Sequence, residues 1–183
     1  MKPAGNPPTG NPPKGGTGLW PVRDDLLITR RNLPHWQIGG YTYFVTFRTR
    51  RVLLLQEARR CVLDACRHHD GKWFTLWAAV VMPDHVHLLL RPEERRPGEW
   101  WSIGRILHSI KGFASHRINE LTGHVGPAWL DERFDRIVRD EAEFLEKWNY
   151  IRFNPVKKGL CDHPEDWDAF YERTGQRPVP PSG

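Results

Sequence analysis

A chain of 183 residues, 39% of them hydrophobic and 11% aromatic, is long enough for one domain whose core folds without staples. Its three cysteines, Cys61, Cys66 and Cys161, form no CxxC pair and argue against both a disulfide framework and a zinc ribbon. A formal charge of +5 and a pI near 9.3 lean toward a polyanionic partner, since cationic surface attracts phosphate by counterion release.

Residues 1–18 form a leader in which ten of eighteen positions are Pro or Gly, a composition expected to be disordered. No N-terminal apolar segment resembles a signal peptide, and no run approaches membrane-spanning length. The expected compartment is the cytoplasm, with no membrane partner.

"YTYFVTFRT" (41–49) reads as a strand. Ala58, Cys61, Val62, Ala65 and Cys66 fall at helical spacing and predict an amphipathic helix over 56–69. Residues 73–82 and 85–91 read as strands joined by a tight turn at Pro83-Asp84. Ile103, Leu107, Ile110 and Ala114 make one stripe and predict a longer helix over 98–121. A strand is expected over 133–140 and a third helix over 140–154, capped by Asp140 with Glu143 three residues on. A disordered tail is expected at 176–183, which leaves 19–175 as a single domain. Strand-helix-strand twice over is the split βαβ, ferredoxin-like or RRM-like α+β plan. It gives an antiparallel sheet with helices on one face, here with an extra C-terminal helix. The plan alone decides no function.

Two features carry chemistry. In "MPDHVHLLL" (82–90), His85 and His87 are two apart in a strand and share a face, while Val86 points the other way. They are either a polar stripe making ordinary hydrogen bonds or the start of a metal site, which would need a third group from elsewhere. Asp84 has no fixed direction at a turn and is not assigned that role. In "KWNYIRFNPVKKGL" (147–160), the stripe of Phe144, Leu145, Trp148 and Ile151 leaves Tyr150 roughly 150° from its centre. Asn154 lies one turn beyond and shares the face of Tyr150, with Lys147 at its border. Asn154 before Pro155 also suits a local cap, and Tyr150 suits a surface tyrosine.

Taken together, the chain resembles the single-tyrosine HUH transposases, most closely the REP-associated tyrosine transposases of bacteria. The resemblance spans roughly residues 33–171 and rests on "YTYFVTFRT", "VVMPDHVHLLL", the Lys-Gly-Phe of "HSIKGFASHRIN", "RFDRIVRDEAEFLEKWNYIRFNPVKKGL" and "HPEDW". It implies that His85, His87 and Asn154 hold a divalent metal, Mg2+ or Mn2+. It also implies that Tyr150 attacks a phosphodiester of single-stranded or hairpin DNA, giving a 5′-phosphotyrosine and a free 3′-hydroxyl. The expected activity is nicking and rejoining at palindromic repeats, in the nucleoid.

Lys111, His108 and Arg117 in the second helix could track phosphates, as could Lys147, Lys157 and Lys158 around the third. Trp100, Trp101 and Trp129 could stack on bases or serve the core. The alternatives are a DNA-binding module without chemistry, such as a domesticated relative, and a nuclease that uses metal-bound water. The short link to the third helix favours a monomer over a dimer that exchanges this helix.

Overall fold

The computed structural model describes residues 26–30 and 34–173. The leader (1–18) and the tail (176–183) lie outside the described residues. In chain order the elements are β1 (Leu26–Arg30), β2 (Pro34–Ile38), β3 (Tyr43–Thr49), α1 (Gln56–Arg67), β4 (Phe74–Val81) and β5 (His85–Pro92). They continue with β6 (Glu94–Arg96), β7 (Glu99–Trp100), α2 (Ile103–Thr122), β8 (Trp129–Ile137), α3 (Glu141–Lys157), a 3-10 turn (Pro164–Asp166) and β9 (Phe170–Glu172).

The main sheet is antiparallel, in the order β8-β3-β5-β4-β9. Its first four strands reproduce the split βαβ order expected from the sequence. Period-two alternation sorts the side chains into two layers. Tyr43, Val45 and Phe47 of β3, Leu76, Ala79 and Val81 of β4, and Val86, Leu88 and Leu90 of β5 pack under α1 and α2. Phe44, Trp77, Ala78, Val80, Met82 and Leu89 face the other way and meet Phe144 and Ile151 of α3. A register shift between Leu76 and Ala78 lets Trp77 and Ala78 both join that second layer. The central strands β4 and β5 are therefore buried on both faces, which is why they read as near-continuous apolar runs.

The sequence boundaries shift in informative places. The second helix begins at Ile103, because "EERRPGEW" folds first into the β6–β7 hairpin, with Gly98 at φ +77° in the bend. The strand expected over 133–140 starts at Trp129. It is an edge strand whose outer positions are polar, so apolar alternation was faint there. The third helix runs on to Lys157, past Pro155. Position 154 is therefore helical, and Asn154 does not cap a new turn. Leu145, which spacing placed on the apolar stripe, is 40% exposed. β1, β2 and β9 had no clear sequence signal; three residues are too few to show a period. Among the described residues no helix is long and apolar enough to cross a membrane.

Candidate functional site

The two histidines open β5 and point toward the α3 side of the sheet. Their ring centroids are 4.7 Å apart. Val86 between them is buried beneath α1 and α2. The strand pairing places Thr46 opposite His87 and Arg48 opposite His85. Each imidazole is then gripped at Nδ1. Thr46 Oγ1 lies 2.8 Å from His87 Nδ1, and Asp84 Oδ1 lies 2.6 Å from His85 Nδ1. An ionised carboxylate only accepts hydrogen bonds, so His85 Nδ1 carries the proton and, in the neutral ring, the lone pair sits on Nε2. The Thr46 hydroxyl can accept from His87 Nδ1 in the same way. Such outer partners fix ring orientation and tautomer when histidine ligates a metal.

The electrostatics follow from burial. His87 is 5% exposed. Desolvation, with the positive charges of His85 and Arg48 outweighing the help of Asp84, pushes its pKa down to about 3. The ring is thus neutral at physiological pH. Its Nε2 is buried without a hydrogen-bond partner among the described residues. Partial burial would raise the Asp84 carboxyl, but hydrogen bonds from Arg48 and His85 and their charges hold it below the usual carboxylate range. The Arg48 contact is 2.6 Å, to Oδ2.

α3 is docked on its own sheet by both ends. Asp140 accepts from the backbone N–H of Glu143 at 2.8 Å, as the capping pattern predicted. Glu143, itself buried, accepts from Arg139 at 2.9 Å and pairs with Arg136 of β8 at 2.8 Å. Further along, Trp148 and Arg152 donate to Glu172 of β9 at 2.9 and 2.7 Å. Arg152 also pairs with Glu165 in the 3-10 turn. The buried face is Glu143, Phe144, Ile151, Asn154 and Pro155. With Leu145 off that face, its centre rotates and Tyr150 comes to the flank of the helix rather than its back. There the Tyr150 ring meets His87 edge-to-face at 5.1 Å and Phe44 at 5.7 Å. Phe44 stacks on His87 at 5.4 Å, and the Lys147 ammonium sits 5.7 Å from the Phe44 ring. Tyr150 stays 40% exposed. Asn154 is 4% exposed, and its Oδ1 is buried without a partner among the described residues.

Two imidazole nitrogens and an amide oxygen fit a divalent cation by type. The unpaired His87 Nε2 and Asn154 Oδ1 are the atoms such an ion would satisfy. Histidine, cysteine and acidic side chains alone form no group of three that could hold a metal among the described residues.

The structure brings His85, His87 and Tyr150 together, with Lys147 at their edge. It does not bring the α2 candidates to them. α2 packs on the opposite layer. Lys111 there donates to the Leu130 carbonyl at 2.8 Å and lies over Phe47. Arg117 pairs with Glu120 and Glu57, and His108 is exposed on the same helix. Lys157 and Lys158 are exposed at the end of α3. Trp129 is core, edge-on to Phe47. Trp101 stacks on Trp73, and Trp100 lies so close over Gly39 that a Cβ there would meet it at 2.3 Å. Sequence reasoning missed Thr46, Arg48 and the orienting role of Asp84. Only cross-strand register could have revealed the first two.

No protein-family model matches the chain. It is 25% identical over 145 residues to a Haemophilus influenzae protein provisionally named a REP-associated tyrosine transposase, a match covering 75% of this chain and 81% of that one. The solved structure of a REP-associated tyrosine transposase bound to a REP hairpin superposes with a TM-score of 0.58 at 23% identity, over 75% of this chain and 80% of that chain. The resemblance read from the sequence and the α+β fold are both borne out by these likenesses.

Proposed function

We propose that this chain, similar over three quarters of its length to a REP-associated tyrosine transposase, nicks and rejoins single-stranded DNA at palindromic repeat hairpins through Tyr150. One observation carries the reading. A half-exposed tyrosine lies edge-on to a buried, neutral histidine whose Nε2 has no partner among the described residues, and a buried amide oxygen, likewise without one, follows one helical turn later.

A divalent cation, Mg2+ or Mn2+, held by His85, His87 and Asn154, would supply charge neutralisation on the non-bridging oxygens of the scissile phosphate. Asp84 and Thr46 keep the imidazoles turned so that Nε2 is the lone-pair nitrogen. The Tyr150 oxygen forms a bond to phosphorus as the bond from phosphorus to the 3′-oxygen breaks. The phenolic proton passes to solvent, to which the exposed flank of the ring is open, and the departing 3′-oxygen takes one up. A phenol has a pKa near 10, so the tyrosine is a modest nucleophile. Its aryl phosphate retains the bond energy that rejoining needs. One tyrosine holds one strand at a time, and reversal joins it to a 3′-hydroxyl.

Covalent trapping tests this. The protein is mixed with labelled single-stranded hairpins taken from repeats flanking its gene, with Mg2+ or Mn2+, and run on a denaturing gel. A shifted band absent in Tyr150→Phe and in chelator is the expected outcome. Binding at the right repeat with no adduct would leave a binding module, and cleavage that survives Tyr150→Phe would leave a metal-water nuclease.

A further inference from the structure

The sheet carries an aromatic side chain, Phe134, on the site's own face that neither the core nor the proposed chemistry uses. β8 pairs with β3 so that Phe134 stands opposite Thr46, and β3 pairs with β5 so that Thr46 stands opposite His87. Directly paired residues share a face. Phe134, Thr46 and His87 therefore form one row across three strands. At the usual strand spacing Phe134 lies about 9.5 Å from His87 along it. α3 covers the β4–β5 part of this face through Trp77, Val80 and Leu89, reaches β3 at Phe44 and touches β8 at Arg136 through Glu143, and it leaves Phe134 uncovered. Phe134 is 57% exposed, and among the described residues no aromatic ring or cation packs on it. Two residues along β8 on the same face, Arg136 stands opposite Phe44 and is held by Glu143 at 2.8 Å. On β3, Arg48 reaches solvent and holds Asp84 with one nitrogen, which leaves further guanidinium N–H groups for a phosphate.

We propose that Phe134 is the stacking platform for an unpaired base of the DNA strand that runs into the His85–His87–Tyr150 site. The inference rests on the strand-nicking reading for the identity of the ligand. The argument is one of placement and chemistry. A bare aromatic face on an open sheet is what an unstacked base packs against, whatever its sequence. A single-stranded polyanion that reaches Tyr150 from the β8 side passes over the uncovered Phe134. Stacking one base there fixes the backbone at a set distance from the histidines. Strand propensity alone would be served as well by Thr, Val or Tyr at this position. That alternative supplies the control.

The test uses the full chain, without metal, and a pool of 20-nucleotide single strands of randomised sequence that carry 5-iododeoxyuridine for thymidine. Ultraviolet cross-linking and peptide mass spectrometry should place an adduct on Phe134. By fluorescence anisotropy, Phe134→Thr, which keeps β-propensity and an exposed side chain, should bind the pool about 5- to 150-fold more weakly, the range for losing one stacked base. Phe134→Trp should keep the wild-type affinity. Equal binding by Phe134→Thr, cross-links confined to other residues, or no binding of the pool by the wild type would each overturn the proposal. A wild type that cross-links at Phe134 yet forms no phosphotyrosine adduct with the repeat hairpins in Mg2+ or Mn2+ would sink the nicking reading and leave the stacking surface standing.

Discussion

Under α1 and α2 the sheet presents Val45, Leu76, Val86 and Leu88, each fully buried among other apolar side chains. Under α3 the same strands present Thr46, His85 and His87, and the covering helix adds a buried asparagine. One residue of register separates the two sets on each strand. The first layer is satisfied by its own packing. The second keeps a buried imidazole nitrogen and a buried amide oxygen without partners among the described residues, a state that lowers stability unless something else completes it. The difference teaches where to look for chemistry: on these strands the apolar side chains turn toward α1 and α2 and the imidazoles turn toward α3.

The largest expected effect belongs to the satisfied layer. Leu88→Ala should lower unfolding free energy by about 2–5 kcal/mol, because it leaves a cavity in a fully buried layer. Urea unfolding measures it. A loss below about 1 kcal/mol would break the comparison, since it would mean that the α1–α2 layer collapses as easily as a loose one.

Acid should strike the other layer. Unfolded, His87 binds a proton near its ordinary value of 6.5; folded, it does so only at about 3. Between those values the unfolded chain holds more protons, so stability falls as the pH drops through this window. The slope reaches up to about 1.4 kcal/mol per pH unit. Asp84, whose carboxyl is held below its ordinary range, adds to the loss at the acid end. In chelated protein, His87→Phe should flatten the curve between about pH 6.5 and 5. Parallel curves for wild type and variant would show that His87 is not kept neutral by burial.

Next in size is the outer partner. Asp84→Asn removes the charge that holds His85 Nδ1 and Arg48. It should weaken Mn2+ affinity and slow adduct formation about 10- to 100-fold, with little change in melting temperature. An unchanged Mn2+ affinity would reduce Asp84 to a surface ion pair.

The two faces were also unequally legible in the sequence. Period two in "HVHLLL" put both histidines on one side and Val86 on the other, and the structure agrees. Asp140 announced the start of α3. What stayed hidden depended on contacts between distant segments. Thr46 meets His87 only through strand pairing across 41 positions. The end of α3 was misread because a proline ordinarily stops a helix, whereas Pro155 sits in its last turn. Leu145 suited the apolar stripe by spacing, yet the ion pairs of Glu143 and Arg152 set the helix's rotation and turn it outward. Phe134 drew no notice, since its meaning lies in the row it completes.

Asn154 gives the smallest stability effect and sharpens the comparison most. Its Oδ1 is buried with nothing to accept from among the described residues. A buried acceptor left unpaired costs about 1–3 kcal/mol, and a leucine of similar volume removes that cost while keeping the packing. Asn154→Leu should therefore melt at or slightly above the wild-type temperature in chelator, the opposite sign from Leu88→Ala one layer away. With Mn2+ present the order should reverse, because only the wild type would gain stability from binding. The covalent adduct should be lost. A variant that is clearly less stable in chelator would mean that Asn154 already serves the fold by itself, and the reading of an unfinished face would fall with it.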